Sequence, residues 1–153
     1  YHDPAKRMTL VTQVSAHLKK GGAILTFPAR HIEPDPDIYP GAVESLKEWT
    51  DSIGVFIRMA PEAAILPVLV RNVVAKKYAG HWLLRIKKTK EEKEKLATAL
   101  QLLGMVMFNE KPVTVTIQIG KPIYAKDLGT NETDAIHQAV LAEMKSLIEN
   151  PPK

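Results

Sequence analysis

The sequence predicts an α/β domain with a mixed, mainly parallel sheet flanked by helices. Three observations predict it. Ala23–Phe27 is a short apolar, β-rich run released by the Gly21-Gly22 break. A long helical pattern follows, from Gly41 to Ala60. Ala63 to Val70 is then a near-continuous apolar run, the pattern of a strand buried on both faces. Strand, helix and strand in that order form the right-handed crossover of a parallel sheet. Both strands would open on one edge, where open α/β folds hold their ligands.

Composition fits a single domain over residues 1–153, at 45% hydrophobic and 25% charged. No apolar run approaches the roughly 18–20 residues of a membrane-spanning helix. Cysteine is absent, which removes disulfides and thiolate metal sites. A formal charge of +4 is compatible with anionic substrates or an anionic membrane surface, and too weak to argue for nucleic acid.

Taken in order, Asp3-Pro4 reads as a helix start. Val11, Val14 and Leu18 define one face of that helix, and Gly21 or Gly22 closes it. His17 reads as a surface residue of it. The Ala23–Phe27 strand stops at Pro28, which has no N–H for a ladder. Arg30 and His31 follow. They can grip a phosphate or carboxylate, or stand as solvated loop charges. Glu33 to Gly41 is a proline-stiffened acidic loop. Glu33, Asp35 and Asp37 alternate there, but the prolines and the missing bidentate Glu argue against calcium, so no metal is assigned.

Ala42, Leu46, Trp49, Ile53, Phe56 and Ala60 form one apolar stripe, with a break and a new cap at Thr50-Asp51-Ser52, and Pro61 ends it. Pro67 inside the next strand implies a bulge or an unpaired side. Lys76, Lys77, Tyr78 and Trp82 make a basic aromatic patch that could rest on a membrane surface or be a solvated turn. Thr89 with Glu92 predicts a capping box. The helix it starts carries Leu96, Leu100, Leu103 and Val106/Met107 as its apolar stripe. Val113, Val115, Ile117 and Ile119 alternate and are expected to face the core. Thr130 or Asn131 is expected to cap a last helix carrying Ile136, Val140, Met144 and Leu147.

Three landmarks together resemble the C-terminal two-thirds of the PlsC-like glycerol-phosphate and lysophosphatidic acid acyltransferase family. Gly22-Ala23-Ile24-Leu25-Thr26-Phe27-Pro28 looks like the strand entering the family's Phe-Pro-Glu-Gly-Thr-Arg-Ser block. Ile65-Leu66-Pro67-Val68 looks like its later apolar-Pro-Val block. Gly120-Lys121-Pro122-Ile123 looks like its Gly-x-Pro-Ile turn.

The resemblance implies acyl transfer from acyl-CoA or acyl-ACP, used as donor substrate with no cofactor, to a hydroxyl of a phosphorylated, lipid-like acceptor. It implies a cytoplasmic protein, peripheral to the inner membrane face. Arg30 and His31 would bind the acceptor's anion, while Phe27, Pro28, Ala29 and Pro67 would shape the pocket. After Phe27-Pro28 the family's Glu, Gly, Thr and Arg are replaced by Ala29, Arg30, His31 and Ile32. The family's His-x-x-x-x-Asp general base is also missing, because no histidine here has aspartate five residues on. With Tyr1 first, this predicts an N-terminally truncated domain, inactive alone, with a raw sheet edge open to self-association. The alternatives are a non-catalytic lipid- or anion-binding module and a basic protein-interaction domain.

Overall fold

The computed structural model describes residues 4–29 and 31–152. Among these residues about half of the chain is helical (52%), and the strands form two small two-stranded antiparallel sheets. The expected mainly parallel sheet is therefore corrected. Six α-helices run over Pro4–Lys19 (α1), Ala42–Ser45 (α2), Ser52–Met59 (α3), Lys76–Ala79 (α4), Lys90–Met107 (α5) and Thr133–Glu149 (α6). Four strands run over Ala64–Ile65 (β1), Val68–Arg71 (β2), Thr116–Ile119 (β3) and Ile123–Tyr124 (β4).

Residues 22–28 have no regular secondary structure and join no ladder among the described residues, so the expected Ala23–Phe27 strand is not formed. Without that strand there is no parallel crossover. The Ala63–Val70 run pairs instead with the chain after α5, β1 with β4 and β2 with β3. Pro67 is the reason for two short ladders in place of one long one. It has no N–H to donate, while its carbonyl accepts from Gly120 N at 2.9 Å, so both partners are interrupted at one level.

The register is Val68↔Ile119, Leu69↔Gln118, Val70↔Ile117 and Arg71↔Thr116. Side chains alternate across a strand, so one face carries Leu69, Arg71, Thr116 and Gln118. The other carries Val68, Val70, Ile117 and Ile119. It is the second, apolar face that lies open, with Ile117 64% and Ile119 62% exposed. Val113, Val115, Ile117 and Ile119 were expected inside; the alternation is real, but the side is the opposite one.

Arg71 decides the side. Its side chain is buried and donates four hydrogen bonds among the described residues. Nε donates to Gln118 Oε1 (3.0 Å), Nη1 to Asp37 Oδ1 (2.6 Å), and Nη2 to the carbonyls of Leu147 (2.5 Å) and Ile148 (2.9 Å). A guanidinium taken from water must keep its donors satisfied, and only the face toward α6 and the 33–39 loop offers those acceptors.

α6 is the hub of the core. Its Ile136, Val140, Met144 and Leu147 are all buried, as the spacing predicts. They pack with Leu46, Trp49, Ile53, Ile57, Ile65 and Ala125. The Thr130/Asn131 cap is corrected: the N-cap is Glu132, with no side-chain cap bond, and Thr130 Oγ1 accepts from Glu132 N. The stripe from Ala42 breaks as expected, with Trp49 extended between a 3-10 turn over Leu46–Glu48 and α3.

α1 closes as its glycines predict. Gly21 takes φ +79°, its N–H reaches Leu18 O, and Gly22 N reaches His17 O, the two bonds of a Schellman closure. His17 is a surface residue of this helix. Its expected start at Asp3 lies outside the described residues.

α5 begins with the predicted reciprocal capping box between Thr89 and Glu92. Its packed face is a different one, however. Glu94, Ala97, Gln101 and Gly104 are buried, and a small core of Val74, Leu84 and Ala97 sits beneath. Gln101 is drawn inward because Oε1 accepts from Ala75 N (2.7 Å) and Nε2 donates to Val73 O (2.9 Å). Gly104 leaves the space that the Tyr78 hydroxyl fills. The predicted stripe through Leu103 and Val106/Met107 is thereby left exposed.

Candidate functional site

Segment 22–29 and the open face of the β2–β3 ribbon line an apolar groove of about 1650 Å³. That exceeds the roughly 300–1000 Å³ of an ordinary small-molecule pocket. Ala23–Ala29 contribute to its lining, with Phe27 81% exposed. Pro28 O fixes this segment by accepting from Thr50 N (3.2 Å) and Thr50 Oγ1 (3.3 Å). The floor is Leu66-Pro67-Val68, Val70 and Ile117; Ile53, Phe56 and Ile57 from α3 and Met144 from α6 complete the lining.

Two of the three landmarks singled out in the sequence line this groove; Gly120-Lys121-Pro122-Ile123 does not. Phe27, Pro28, Ala29 and His31 line the groove, and so does Pro67, which is buried. Arg30 lies outside the described residues.

Polar groups gather where the 31–39 loop meets α5. His31 Nδ1 lies 3.6 Å from Glu48 Oε2, a histidine–carboxylate pair joining segments far apart in sequence. His31 also helps to lower the Glu91 carboxyl, after the dominant hydrogen bond from Lys95. The Tyr39 hydroxyl is a buried oxygen with no hydrogen-bond partner among the described residues. Burial first, then the charges of Glu94 and Asp35, raise its pKa.

Among the described lining residues the carboxylates Glu33, Asp35, Glu62 and Glu94 face only Lys19 and Lys95, with His31 beside them. Several already have partners. Glu33 Oε1 accepts from Trp49 Nε1 (2.5 Å) and Ser45 Oγ (3.1 Å), and Asp35 Oδ2 accepts from Val73 N (3.0 Å). Asp37 gives its oxygens to Arg71 and Asn72. Asp35 and Asp37 therefore fasten the loop to the end of β2 and Glu33 fastens it to Ser45 and Trp49, and no group of acidic or histidine side chains among the described residues could hold a metal ion.

The Lys76–Trp82 patch divides. Lys77 Nζ and the Tyr78 hydroxyl both donate to Glu110 Oε2. Those two bonds hold the Glu110 carboxyl below its ordinary range and raise both donors. Lys76 and Trp82 remain exposed, Trp82 stacked on His81 with ring centres 6.0 Å apart. No described helix is long and apolar enough to cross a membrane.

The sequence reading missed Tyr39, Glu48 and the floor residues Val68, Val70 and Ile117. For Ile117 the signal was present, since an alternating strand can turn its apolar side to a groove as readily as to the core; Val68 and Val70 lie in a near-continuous apolar run that gives no such cue. Tyr39 and Glu48 left no such signal, since each meets the groove through long-range folding.

No family model, curated protein or solved structure matches the chain.

Proposed function

We propose that this chain supplies the acyl-chain-binding part of an acyltransferase. The full reaction moves an acyl group from acyl-CoA or acyl-ACP to a hydroxyl of a phosphorylated, lipid-like acceptor. The observation that carries the reading is the groove, whose lining includes both proline landmarks, Phe27-Pro28 and Leu66-Pro67-Val68. An apolar groove with its polar groups gathered at the 31–39 loop suits an aliphatic tail whose head group stays wet. Each buried methylene contributes about 0.8 kcal/mol, so a fatty chain would gain affinity without any dedicated polar contact. Arg30 and His31 are the groups proposed to meet the acceptor's anion, His31 through Nε2 because Nδ1 faces Glu48.

A second reading, a lipid-binding module with no chemistry of its own, is favoured by the four carboxylates in the lining and the absence of His-x-x-x-x-Asp.

Titration with a fluorescent fatty acid tests the groove, and acyl-CoA with a lysophospholipid acceptor tests the chemistry. The chain has no cysteine, so a thiol reagent reads released coenzyme A without protein background. We expect saturable probe binding and no thiol release. Val70 and Ile117 are open to the groove, so Val70→Glu and Ile117→Glu should fold normally and weaken the probe at least about tenfold, a loss of about 1.4 kcal/mol. Undiminished binding in both variants would remove the groove as the site. Thiol release would show that the chain is catalytically complete without His-x-x-x-x-Asp.

A further inference from the structure

The exposed side of α5 carries the next inference, and it stands apart from the groove. At 100° per residue, Glu94, Ala97, Gln101 and Gly104 form the side packed on the protein. Leu102, Leu103, Val106 and Met107 fall on the opposite side, and Phe108 follows at the helix end. All five are exposed, Val106 at 82%. A helix that turns large aliphatic residues to the outside along its second half needs a partner for them.

Charge says what kind of partner. From Leu96 to Asn109 there is no charged residue. Around that apolar stretch the chain is strongly basic: between Asn72 and Lys111 nine Lys and Arg stand against four Glu, a net +5, while the rest of the chain nets −1. Glu110, the acidic residue that follows α5 most closely in sequence, is already held by Lys77 and Tyr78. A second copy pressed face to face on this side would bring two such basic segments together. An anionic lipid surface meets both properties at once, apolar side chains entering the acyl boundary and lysines staying at the head groups.

The geometry points to the second half of α5, Leu102 to Phe108, as the segment by which this protein lies on an anionic membrane. It lies beyond the Lys76–Trp82 patch, in which Lys77 and the Tyr78 hydroxyl are committed to Glu110 while Lys76 and Trp82 stay exposed.

Co-sedimentation of the chain with vesicles of phosphatidylcholine alone, and of phosphatidylcholine mixed with phosphatidylglycerol, tests it. The chain should pellet with the anionic vesicles, remain soluble with the neutral ones, and be released as salt is raised. Val106→Glu and Leu102→Ser change exposed positions, so unchanged thermal unfolding should accompany a loss of partitioning of at least about tenfold. Lys87→Gln with Lys88→Gln should weaken it about fivefold for each lysine that lies near the surface. Val70→Glu, inside the groove, should leave it unchanged, so failure of the groove and failure of this surface are separate results. Equal partitioning into both vesicle types, or full binding by Val106→Glu, would overturn the assignment. So would vesicle-independent dimerisation that Val106→Glu abolishes, which would give the face to a second copy.

Discussion

Replacing Arg71 by Met should cost the fold about 3–5 kcal/mol, the loss seen when one member of a buried charged pair is removed. Arg71 is 1% exposed and joins three parts of the chain. It holds the 33–39 loop through Asp37, the β2–β3 ribbon through Gln118, and the last turn of α6 through the Leu147 and Ile148 carbonyls. Met fills the space of the stem but satisfies none of these acceptors. Asp37 would be left partly buried without its counter-ion, and two carbonyls at a helix C-terminus would lose their cationic donor. Arg71→Lys should recover only part of the loss, because a single ammonium cannot span acceptors on three elements as the guanidinium fork does. The 33–39 loop also borders the groove, so the fatty-acid probe should weaken in parallel. Urea unfolding of the two variants measures this. A loss below about 1 kcal/mol in Arg71→Met would mean the clamp is incidental.

Gly54→Ala should destabilise, although alanine ordinarily favours a helix by about 1 kcal/mol over glycine. Gly54 lies where α3 crosses the first turn of α6. A β-carbon there would stand 2.6 Å from Thr133 Cγ2 and 2.7 Å from Thr133 O. The threonine methyl can turn away; the carbonyl belongs to the helix backbone and cannot move without shifting α6. Forced overpacking typically costs about 1–3 kcal/mol, so after the helix gain the net effect of Ala should be a loss of up to about 2 kcal/mol. Gly54→Val, with two further methyls, should exceed it. Thermal unfolding of Gly54→Ala, Gly54→Val and Thr133→Ala/Gly54→Ala separates methyl from backbone. If the double variant recovers full stability, the methyl alone was responsible; a Tm raised in Gly54→Ala would refute the close crossing.

Both effects arise at residues whose importance is invisible in a sequence read by hydrophobic pattern. Charged residues are assigned outward by default, yet Arg71 and Glu94 are buried, with Gln101 beside Glu94 on the inner face of α5. The open apolar residues show the converse. Ile117 and Ile119 have the spacing and residue type of core positions, and so do Leu103 and Val106. In each case a polar group with fixed hydrogen-bond demands claimed the inner face first. Arg71 with Gln118 did so in the ribbon, and Gln101 with the Val73–Ala75 backbone did so on α5.

Local chemistry alone determined much of this protein. The glycine closure of α1, the Thr89–Glu92 capping box, the break before α3 and the buried face of α6 all follow from neighbours within a few residues, and all are present. The sequence also brought Phe27-Pro28 and Pro67 into one proposed site, and they do line one groove. What only tertiary structure decided is direction and side. A period of two reveals which residues share a face, not which face is buried or whether the neighbouring strand runs parallel. Those depend on partners such as β3 and α6, tens of residues away, and on whether a buried guanidinium finds its acceptors there.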